Sequence, residues 1–213
     1  MTVPRAISNA LRHGLAMDDH DFDLLYPASQ RFRSWLHWTP VEVAQRACTL
    51  LAPVAGDRIL DVGSGVGKPC LVGALITEAR WFGIERDPRM VIAANEAAKR
   101  LVVDGRTSFR LGDMELLDWS RFDAFYLFNP FGEILYGNDA DALERRVRYS
   151  TSIEIVQERL SAAKRGTRVV TYHGFGGDMP PELELVHREA KRDGDLCLWV
   201  HRGRRWRRKR AAS

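Results

Sequence analysis

Short runs rich in β-branched and aromatic residues alternate with longer amphipathic segments between residues 58 and 201. The short runs are typical of buried strands, and the longer segments, with apolar residues every three or four positions, are typical of helices. This alternation predicts repeated strand–helix units and an α/β fold with a mostly parallel sheet. The predicted strands span residues 58–62, 81–85, 107–111, 124–128, 167–172, 183–187 and 196–201.

Helices are predicted between most of these strands and ahead of the first one. Thr39 and Pro40 offer an N-cap residue and a proline at the first helical position, and Gly166 offers a stop after the last helix. The last two strands are separated by a segment that contains Asp193-Gly194, and this dipeptide between apolar runs is a strong signal for a hairpin. We therefore expect a Rossmann-like, doubly wound, seven-stranded sheet that ends in an antiparallel hairpin. The predicted helices are 40–51, 68–79, 88–103 and 150–164.

The two ends of the chain differ from its middle in charge. Near the N-terminus there is an acidic cluster, and its simplest interpretation is a solvated loop. Residues 201–213 hold seven lysines and arginines and no acid, so the net charge of +4 belongs to this end of the chain. We expect an N-terminal helical cap over 1–39, a single α/β domain over 40–202 and a basic tail over 203–213. The acidic cluster consists of Asp18, Asp19, Asp21 and Asp23.

Composition excludes several classes of protein. A chain that is 45% hydrophobic and 28% charged is globular rather than disordered. Cys48, Cys70 and Cys197 form no Cys-x-x-Cys pair, and the histidines lack metal-ligand spacing, so we expect neither a disulfide framework nor a metal site. No apolar run approaches the roughly 18 residues of a membrane span, and the N-terminus lacks a secretory signal. The protein is therefore expected to be cytoplasmic and to have no membrane partner.

The segment from Asp61 to Gly67 has the sequence DVGSGVG and lies between the first predicted strand and the helix that follows. Glycines there let the backbone turn sharply and approach a ligand, and free N–H groups at the helix start face that ligand. A dinucleotide fingerprint would need its third glycine at position 68, which is Lys68. The Asp61 carboxylate would repel a pyrophosphate, so it favours a ligand with a cationic amino-acid end.

This segment resembles motif I of the class I S-adenosylmethionine-dependent methyltransferases, and the resemblance extends over residues 40–201. It implies the same seven-stranded fold, a methyl-transfer reaction and S-adenosylmethionine as the cofactor. It also implies that Glu85 holds the ribose hydroxyls, that Asp113 lies near the adenine amino group and that Met114 packs on the adenine ring. The residues implied to hold the amino-acid end of the cofactor are Asp61, Gly63, Ser64, Gly65 and Gly67.

The fourth predicted strand ends in Asn129-Pro130-Phe131, at the strand tip where substrate meets cofactor in such sheets. These residues resemble the Asn-Pro-Pro-Tyr motif of methyltransferases that act on amino nitrogens, with Phe131 in place of the second proline. Together with motif I they also resemble the non-SET histone-lysine methyltransferases and their bacterial lysine-modifying relatives. We therefore expect them to face a nitrogen acceptor, with a protein lysine favoured. His173, after the fifth strand, is a lower-ranked candidate for a base.

Other interpretations stay open at this point. The basic residues at 202–210 favour RNA, DNA or an acidic protein as a partner, whereas the lack of a recognition domain favours a small metabolite. The chain can also be a cofactor-binding regulatory module without turnover. Tyr26 and Trp38 either belong to a lid over the cofactor or pack against the sheet.

Overall fold

The computed structural model of this chain describes residues 2–32, 38–52, 54–132, 134 and 141–203. The strands are β1 (Arg58–Val62), β2 (Arg80–Glu85), β3 (Thr107–Leu111), β4 (Ala124–Phe128), β5 (Arg168–Tyr172), β6 (Leu183–Lys191) and β7 (Gly194–His201). The helices with described bounds are α1 (Val3–Arg12), α2 (Asp19–Asp23), α3 (Ala28–Arg31), α4 (Val41–Leu51), α5 (Lys68–Ile76), α6 (Pro88–Leu101) and α7 (Ala142–Ser161). Two short 3₁₀ helices, Met114–Leu116 and Trp119–Arg121, lie between β3 and β4.

All seven strands form one sheet in the order β3-β2-β1-β4-β5-β7-β6. Strands β1 to β5 are parallel, and β7 inserts antiparallel between β5 and β6. This arrangement confirms the predicted doubly wound sheet with a C-terminal antiparallel hairpin. The order reverses at β1, which lies between β2 and β4, and open α/β sheets bind ligands at the carboxyl ends of the strands beside such a reversal.

Alternate residues of the central strands supply two hydrophobic cores, one on each face of the sheet. In β4, Ala124 and Tyr126 belong to one core, and Phe125 and Leu127 belong to the other. The first face is covered by α4, α5 and α6, and the second by α7 and the two 3₁₀ helices. Because helices cover both faces, β4 is apolar along its whole length instead of alternating.

The N-terminal helices share the core of the sheet. Ile7 and Leu11 of α1 and Phe22 of α2 are buried in the same cluster as residues of α5 and α6. The N-terminal segment is therefore packed against the helices that follow β1 and β2.

The acidic cluster is not the solvated loop that its composition predicts. Asp18 does cap α2, since its side chain accepts a hydrogen bond from the Asp21 N–H. Asp23, however, is only 4% exposed, and its carboxylate lies 2.7 Å from the Nζ atom of Lys68. The prediction fails because the helical turn of α2 points Asp23 inward, toward a lysine that lies far along the chain.

The turn of the hairpin also differs from the sequence-based expectation. Lys191 pairs with Gly194, so the two turn residues are Arg192 and Asp193, and Gly194 is the first residue of β7. A side chain at Gly194 would place its Cβ 2.5 Å from Cε1 of His173. This glycine therefore makes room for an imidazole and is not needed for the turn itself.

Helix α7 begins eight residues earlier than predicted, at Ala142, where Asp141 caps it by accepting a hydrogen bond from the Leu143 N–H. Its first half, up to Ser150, contributes no buried residue. Because the first half buries no apolar side chain, it lacks the helical repeat of apolar residues from which a helix is predicted. The sequence pattern therefore predicted only the later turns, which pack through Val156 and Leu160.

Among the described helices, none has both the length and the apolar character needed to cross a membrane. The described part of the chain also holds no group of three or more side chains placed to share a metal ion.

Candidate active site

A cavity of about 730 Å³ opens at the carboxyl ends of the strands beside the reversal point. Its volume lies within the range of small-molecule sites, which is about 300–1,000 Å³. The predicted site residues that line it are Gly63, Gly65, Glu85, Met114, Asn129, Pro130, Phe131 and His173. The predicted site residues outside its described lining are Asp61, Ser64, Gly67 and Asp113.

The glycine loop between β1 and α5 has its three glycines in the left-handed region, with φ values of +72°, +53° and +78°. Each glycine serves a different purpose. A Cβ on Gly63 would lie 3.0 Å from Cβ of Pro130, and one on Gly67 would lie 2.4 Å from the Phe109 ring. A Cβ on Gly65 would meet only the Met90 sulfur, at 3.9 Å. Gly65 therefore leaves space on the cavity side, whereas Gly67 allows close helix–sheet packing.

Glu85, the last residue of β2, is held by backbone N–H groups. Its Oε2 accepts from Gly65 at 2.9 Å, and its Oε1 accepts from Arg86 at 2.7 Å and from Asp87 at 2.9 Å. A carboxylate has about four lone-pair sites, so this one keeps acceptor capacity for a ligand while its orientation is fixed. The acid is thus set toward the cavity before any ligand binds.

Asp113 and Met114 follow β3, and of the two only Met114 belongs to the described cavity lining. Asp113 caps a 3₁₀ turn by accepting from the Glu115 N–H at 3.1 Å, and it forms an ion pair with Arg86. Met114 is buried and lines the cavity. Arg86 lines the cavity but was not predicted as a site residue, because its only signal in the sequence is its position directly after Glu85.

Asp61 lies beneath the glycine loop and is 3% exposed. Its only described hydrogen-bond partner is the thiol of Cys70, with the sulfur 3.8 Å from Oδ2. Burial raises the pKa of Asp61 to about 8; the hydrogen bond from Cys70 lowers it, and the negative charge of Glu85 adds to the increase. The group is therefore largely protonated near neutral pH in the ligand-free chain.

Asn129 is an exposed residue at the end of β4 with a φ of +37°, an uncommon conformation for a residue other than glycine. Its N–H donates to the Gly174 carbonyl at 2.9 Å, and its own carbonyl accepts from the Gly132 N–H at 3.1 Å. A Cβ on Gly132 would lie 2.7 Å from Nδ2 of Asn129, so the carboxamide lies over that glycine. Phe131 is 4% exposed and contributes an apolar wall to the cavity.

His173 follows β5 and also has a positive φ, +57°. Its ring centroid lies 4.4 Å from that of Tyr172 and 5.6 Å from that of Phe128. The imidazole is exposed, and it lines the same cavity as Asn129. The structure therefore brings the lower-ranked candidate base to the same strand edge as the predicted acceptor site.

Both candidate lid residues contact the glycine-loop side of the cavity. Trp38 lines the cavity and is 7% exposed. The Tyr26 hydroxyl donates to the Val66 carbonyl at 3.1 Å, and the Tyr26 ring meets the Trp38 ring edge-on at 4.9 Å. Both residues are buried, so each packs in the core and also contacts either the glycine loop or the cavity.

The cavity fits a ligand with an amino-acid end and a nucleoside. Gly65 leaves an open cradle beside the start of α5, and Glu85 keeps an oriented acceptor site for a ribose hydroxyl. Ile84 and Met114 supply apolar surface for a flat ring. These features match what S-adenosylmethionine requires.

Comparison with known proteins agrees with this fit. Residues 53–174 match a family model described as a methyltransferase domain. The crystal structure of an RNA methyltransferase from Salinibacter ruber in complex with S-adenosyl-L-homocysteine is 26% identical, with a TM-score of 0.56, and the match covers 78% of this chain and 94% of that one.

Two curated relatives match parts of the chain. The sterol 24-C-methyltransferase of Kluyveromyces lactis is 27% identical over 144 residues, which are 64% of this chain and 38% of that protein. The 23S rRNA (uracil(1939)-C(5))-methyltransferase of Burkholderia pseudomallei is 36% identical over 91 residues, 40% of this chain and 19% of that protein. The chain thus spans well under half of the length of either relative.

None of these three relatives is described as a histone-lysine methyltransferase, so that narrower resemblance stays a prediction. The family model covers more than half of the chain, and the strand order, the terminal hairpin and the position of the cavity agree with it. The chain therefore belongs to the methyltransferase domain family, and it has the fold of the class I enzymes that use S-adenosylmethionine.

Proposed function

We propose that this methyltransferase transfers the methyl group of S-adenosylmethionine to a nitrogen atom of its substrate. The observation that carries the proposal is the position of Asn129. Its side chain is exposed at the carboxyl end of β4, in the lining of the same cavity as the glycine loop and Glu85. A carboxamide oxygen there can accept a hydrogen from an amine and leave its lone pair directed at the cofactor.

The cofactor would be held by the glycine loop and by Glu85. The backbone at Gly63 and Gly65 faces the amino-acid end, Glu85 accepts from the ribose hydroxyls, and Met114 packs on the adenine. When bound, the cofactor supplies a methyl group made electrophilic by a cationic sulfur. Asp61 lies behind the glycine loop, so its carboxylate acts on the cationic amino end from outside the described cavity lining.

The acceptor would be held by the residues that follow β4. Pro130 packs against Gly63, which fixes the Asn129 segment relative to the glycine loop. This tether matters because methyl transfer depends mainly on holding the nucleophile in line with the methyl group, at about 3 Å. Phe128 and Phe131 exclude water from one side of the amine, and His173 offers a ring nitrogen on the same cavity wall that can act as a base.

A protein lysine is the acceptor that we favour. The cavity is walled by aromatic groups, among them Trp38, Phe128 and Phe131. Aromatic faces attract an ammonium group and pack well against the alkyl stem of lysine.

A nucleobase in RNA is the second candidate, and the relatives favour it. The Salinibacter ruber neighbour is described as an RNA methyltransferase, and the Burkholderia relative is named for a uracil of 23S rRNA. The names of the ribosomal RNA and sterol relatives specify carbon acceptors, which differ from the nitrogen proposed here.

The position of the basic tail bears on this second candidate. Residues 204–213 lie outside the described part of the chain, but β7, which precedes them, ends at His201. Because Val200 pairs with Arg168 at the start of β5, β7 ends at the sheet edge opposite the cavity. The chain therefore leaves β7 for the basic tail at the edge of the sheet opposite the cavity.

The test uses the wild-type chain, S-adenosylmethionine labelled in the methyl group, and an extract whose fractions are treated with protease or with nuclease. Label that becomes soluble only after protease, and is recovered as methyl-lysine after hydrolysis, would support the favoured acceptor. Nuclease-sensitive label on a base nitrogen would move the substrate to RNA or DNA. Label on carbon or oxygen would contradict the nitrogen proposal, and binding without any transfer would favour a regulatory module.

A further inference from the structure

The first residue of α5 is a lysine that is almost completely buried. Lys68 is 1% exposed, and its Nζ lies 2.8 Å from Oδ1 of Asp19 and 2.7 Å from Oδ1 of Asp23. The same nitrogen lies 5.5 Å from the centroids of the Phe22 and Trp38 rings. A buried ammonium at a helix N-terminus is unfavourable in itself, because burial removes its hydration and the helix dipole repels it. The two carboxylates therefore keep Lys68 inside.

Both carboxylates belong to α2, and α2 begins a longer stretch that we call the strap, residues 19–31. The strap contacts both α5, which follows the glycine loop, and α6, which follows Glu85. Lys68 joins it to α5, directly after the glycine loop. Arg100 of α6 donates to the Leu25 carbonyl at 2.9 Å, and Gln30 donates to the Arg89 carbonyl at 3.3 Å. One segment thus ties together the helix behind the glycine loop and the helix behind Glu85.

The strap also holds the glycine loop directly. The first half of the loop is fixed to the sheet, since the N–H groups of Gly63 and Ser64 both donate to the Ile84 carbonyl at 3.0 Å. The outer half has its described tether to the strap at Val66, whose carbonyl accepts from Tyr26 at 3.1 Å. Tyr26 lies three residues after Asp23, so the ion pair and this hydrogen bond are parts of one connection.

We propose that Lys68 is a positioning residue for cofactor binding. By fixing α2 through Asp19 and Asp23, it holds Tyr26 against Val66 and so keeps the outer half of the glycine loop in its ligand-ready shape. This inference rests on the proposed role of the glycine loop in holding the cofactor. It makes the N-terminal cap a part of the cofactor site, through a contact that does not itself line the cavity.

The test compares three variants of the full chain, and a fourth that combines the first two, by calorimetric titration with S-adenosyl-L-homocysteine. Tyr26→Phe deletes only the hydroxyl tether. Lys68→Met combined with Asp23→Asn removes the buried ion pair without leaving Asp23 as a buried, unpaired charge. Leu11→Ala is the control, because Leu11 lies in α1, outside the strap, and its truncation opens a cavity in the core without removing the ion pair or the Tyr26 hydroxyl.

We expect Tyr26→Phe and the Lys68 variant each to raise the dissociation constant about fivefold, the usual size of one lost hydrogen bond. Combined, they should raise it little further, because both break the same connection. Hydrogen exchange in residues 19–31 should speed up in the Lys68 variant and slow down when the wild type binds the ligand. Leu11→Ala should lower the melting temperature without changing the dissociation constant.

A Tyr26→Phe variant that binds like the wild type would overturn the proposal, even if the Lys68 variant fails to fold. Fully additive effects, or a Leu11→Ala variant that loses affinity equally, would assign Lys68 to general stability only. A wild-type chain that binds no S-adenosyl-L-homocysteine would instead defeat the proposed cofactor site, and the strap proposal with it. The outcomes are distinct because the first two require a wild type that binds.

Discussion

At the residue scale, the ionised form of Asp61 favours ligand binding, whereas the protonated form favours the folded state. The folded chain keeps a proton on this carboxyl up to about pH 8, whereas an unfolded chain releases it near the ordinary pKa of 3.8. Between these values the unfolded state binds fewer protons, so each rise in pH favours unfolding. Because its folded pKa is raised and not lowered, this aspartate stabilises the fold only in its protonated form.

Asp61→Asn should therefore increase the free energy of unfolding near neutral pH by about 1 kcal/mol or more, since one pKa unit corresponds to about 1.4 kcal/mol. The gain should shrink as the pH is lowered and vanish only below the unfolded pKa of 3.8, where both states are protonated. Urea denaturation at a series of pH values measures this, with the exposed Asp104→Asn as control. An Asp61→Asn variant less stable than the wild type at neutral pH would show that the carboxylate is satisfied in the fold.

The same substitution should weaken binding of S-adenosyl-L-homocysteine about tenfold, because a cationic amino end favours the ionised carboxylate. For the wild type, affinity should then rise with pH up to about 8, with release of a proton on binding. Calorimetry in two buffers of different ionisation enthalpy detects that proton. Binding that takes up a proton, or that ignores pH in this range, would contradict the assigned role.

At the element scale, the glycines of the strand–helix connections can be separated by what surrounds them. Gly56 and Gly67 have similar φ values, +84° and +78°, but a Cβ on Gly56 would meet nothing within 4 Å. Gly67→Ala should therefore cost about 1–3 kcal/mol more in unfolding free energy than Gly56→Ala, which carries only the backbone strain. Chemical denaturation of the two variants makes the comparison, and equal costs would mean that Phe109 yields without penalty.

Gly65→Ala separates binding from folding in the same loop. Its φ of +53° predicts a backbone penalty like that of Gly56→Ala, about 1 kcal/mol. The added methyl group would point toward the cavity, with the Met90 sulfur as its one near neighbour. Affinity for S-adenosyl-L-homocysteine should therefore fall about tenfold or more. Unchanged affinity, measured by titration, would place the ligand away from Gly65.

At the scale of the whole molecule, the last strand of the sheet, β7, ends at His201, ahead of most of the basic tail. Arg202 pairs with Glu184, and the Gly203 N–H donates to His201. Because all seven strands are complete by His201, removing residues 204–213 should leave the melting temperature and the affinity for S-adenosyl-L-homocysteine unchanged. If the tail grips nucleic acid, the same truncation should abolish a salt-sensitive retardation of RNA; a full-length chain that retards no RNA at low salt would exclude that role.

The elements that the sequence predicted best are those whose bounds depend only on their own residues. Strands β1 and β4 occur at their predicted bounds because each is an apolar run closed by a turn. The pairing of Lys68 with Asp19 was not predictable, because 49 positions separate the two residues and neither fits the local pattern of a buried group. The role of Gly194 likewise depends on His173, and these two residues become neighbours only when the sheet has formed. Local patterns predicted the framework, whereas contacts between distant segments had to be seen in the structure.

The central claim is that Asn129 holds a nitrogen acceptor in line with the cofactor, and one comparison tests it most directly. Methyl transfer and the dissociation constant for S-adenosyl-L-homocysteine are measured for the wild type and for Asn129→Ala, with a substrate fraction that the wild type labels. We expect Asn129→Ala to lose about 100-fold in transfer, the usual effect of a misplaced nucleophile, with affinity within about twofold of the wild type. Transfer and affinity that fall together, or transfer that survives, would contradict it.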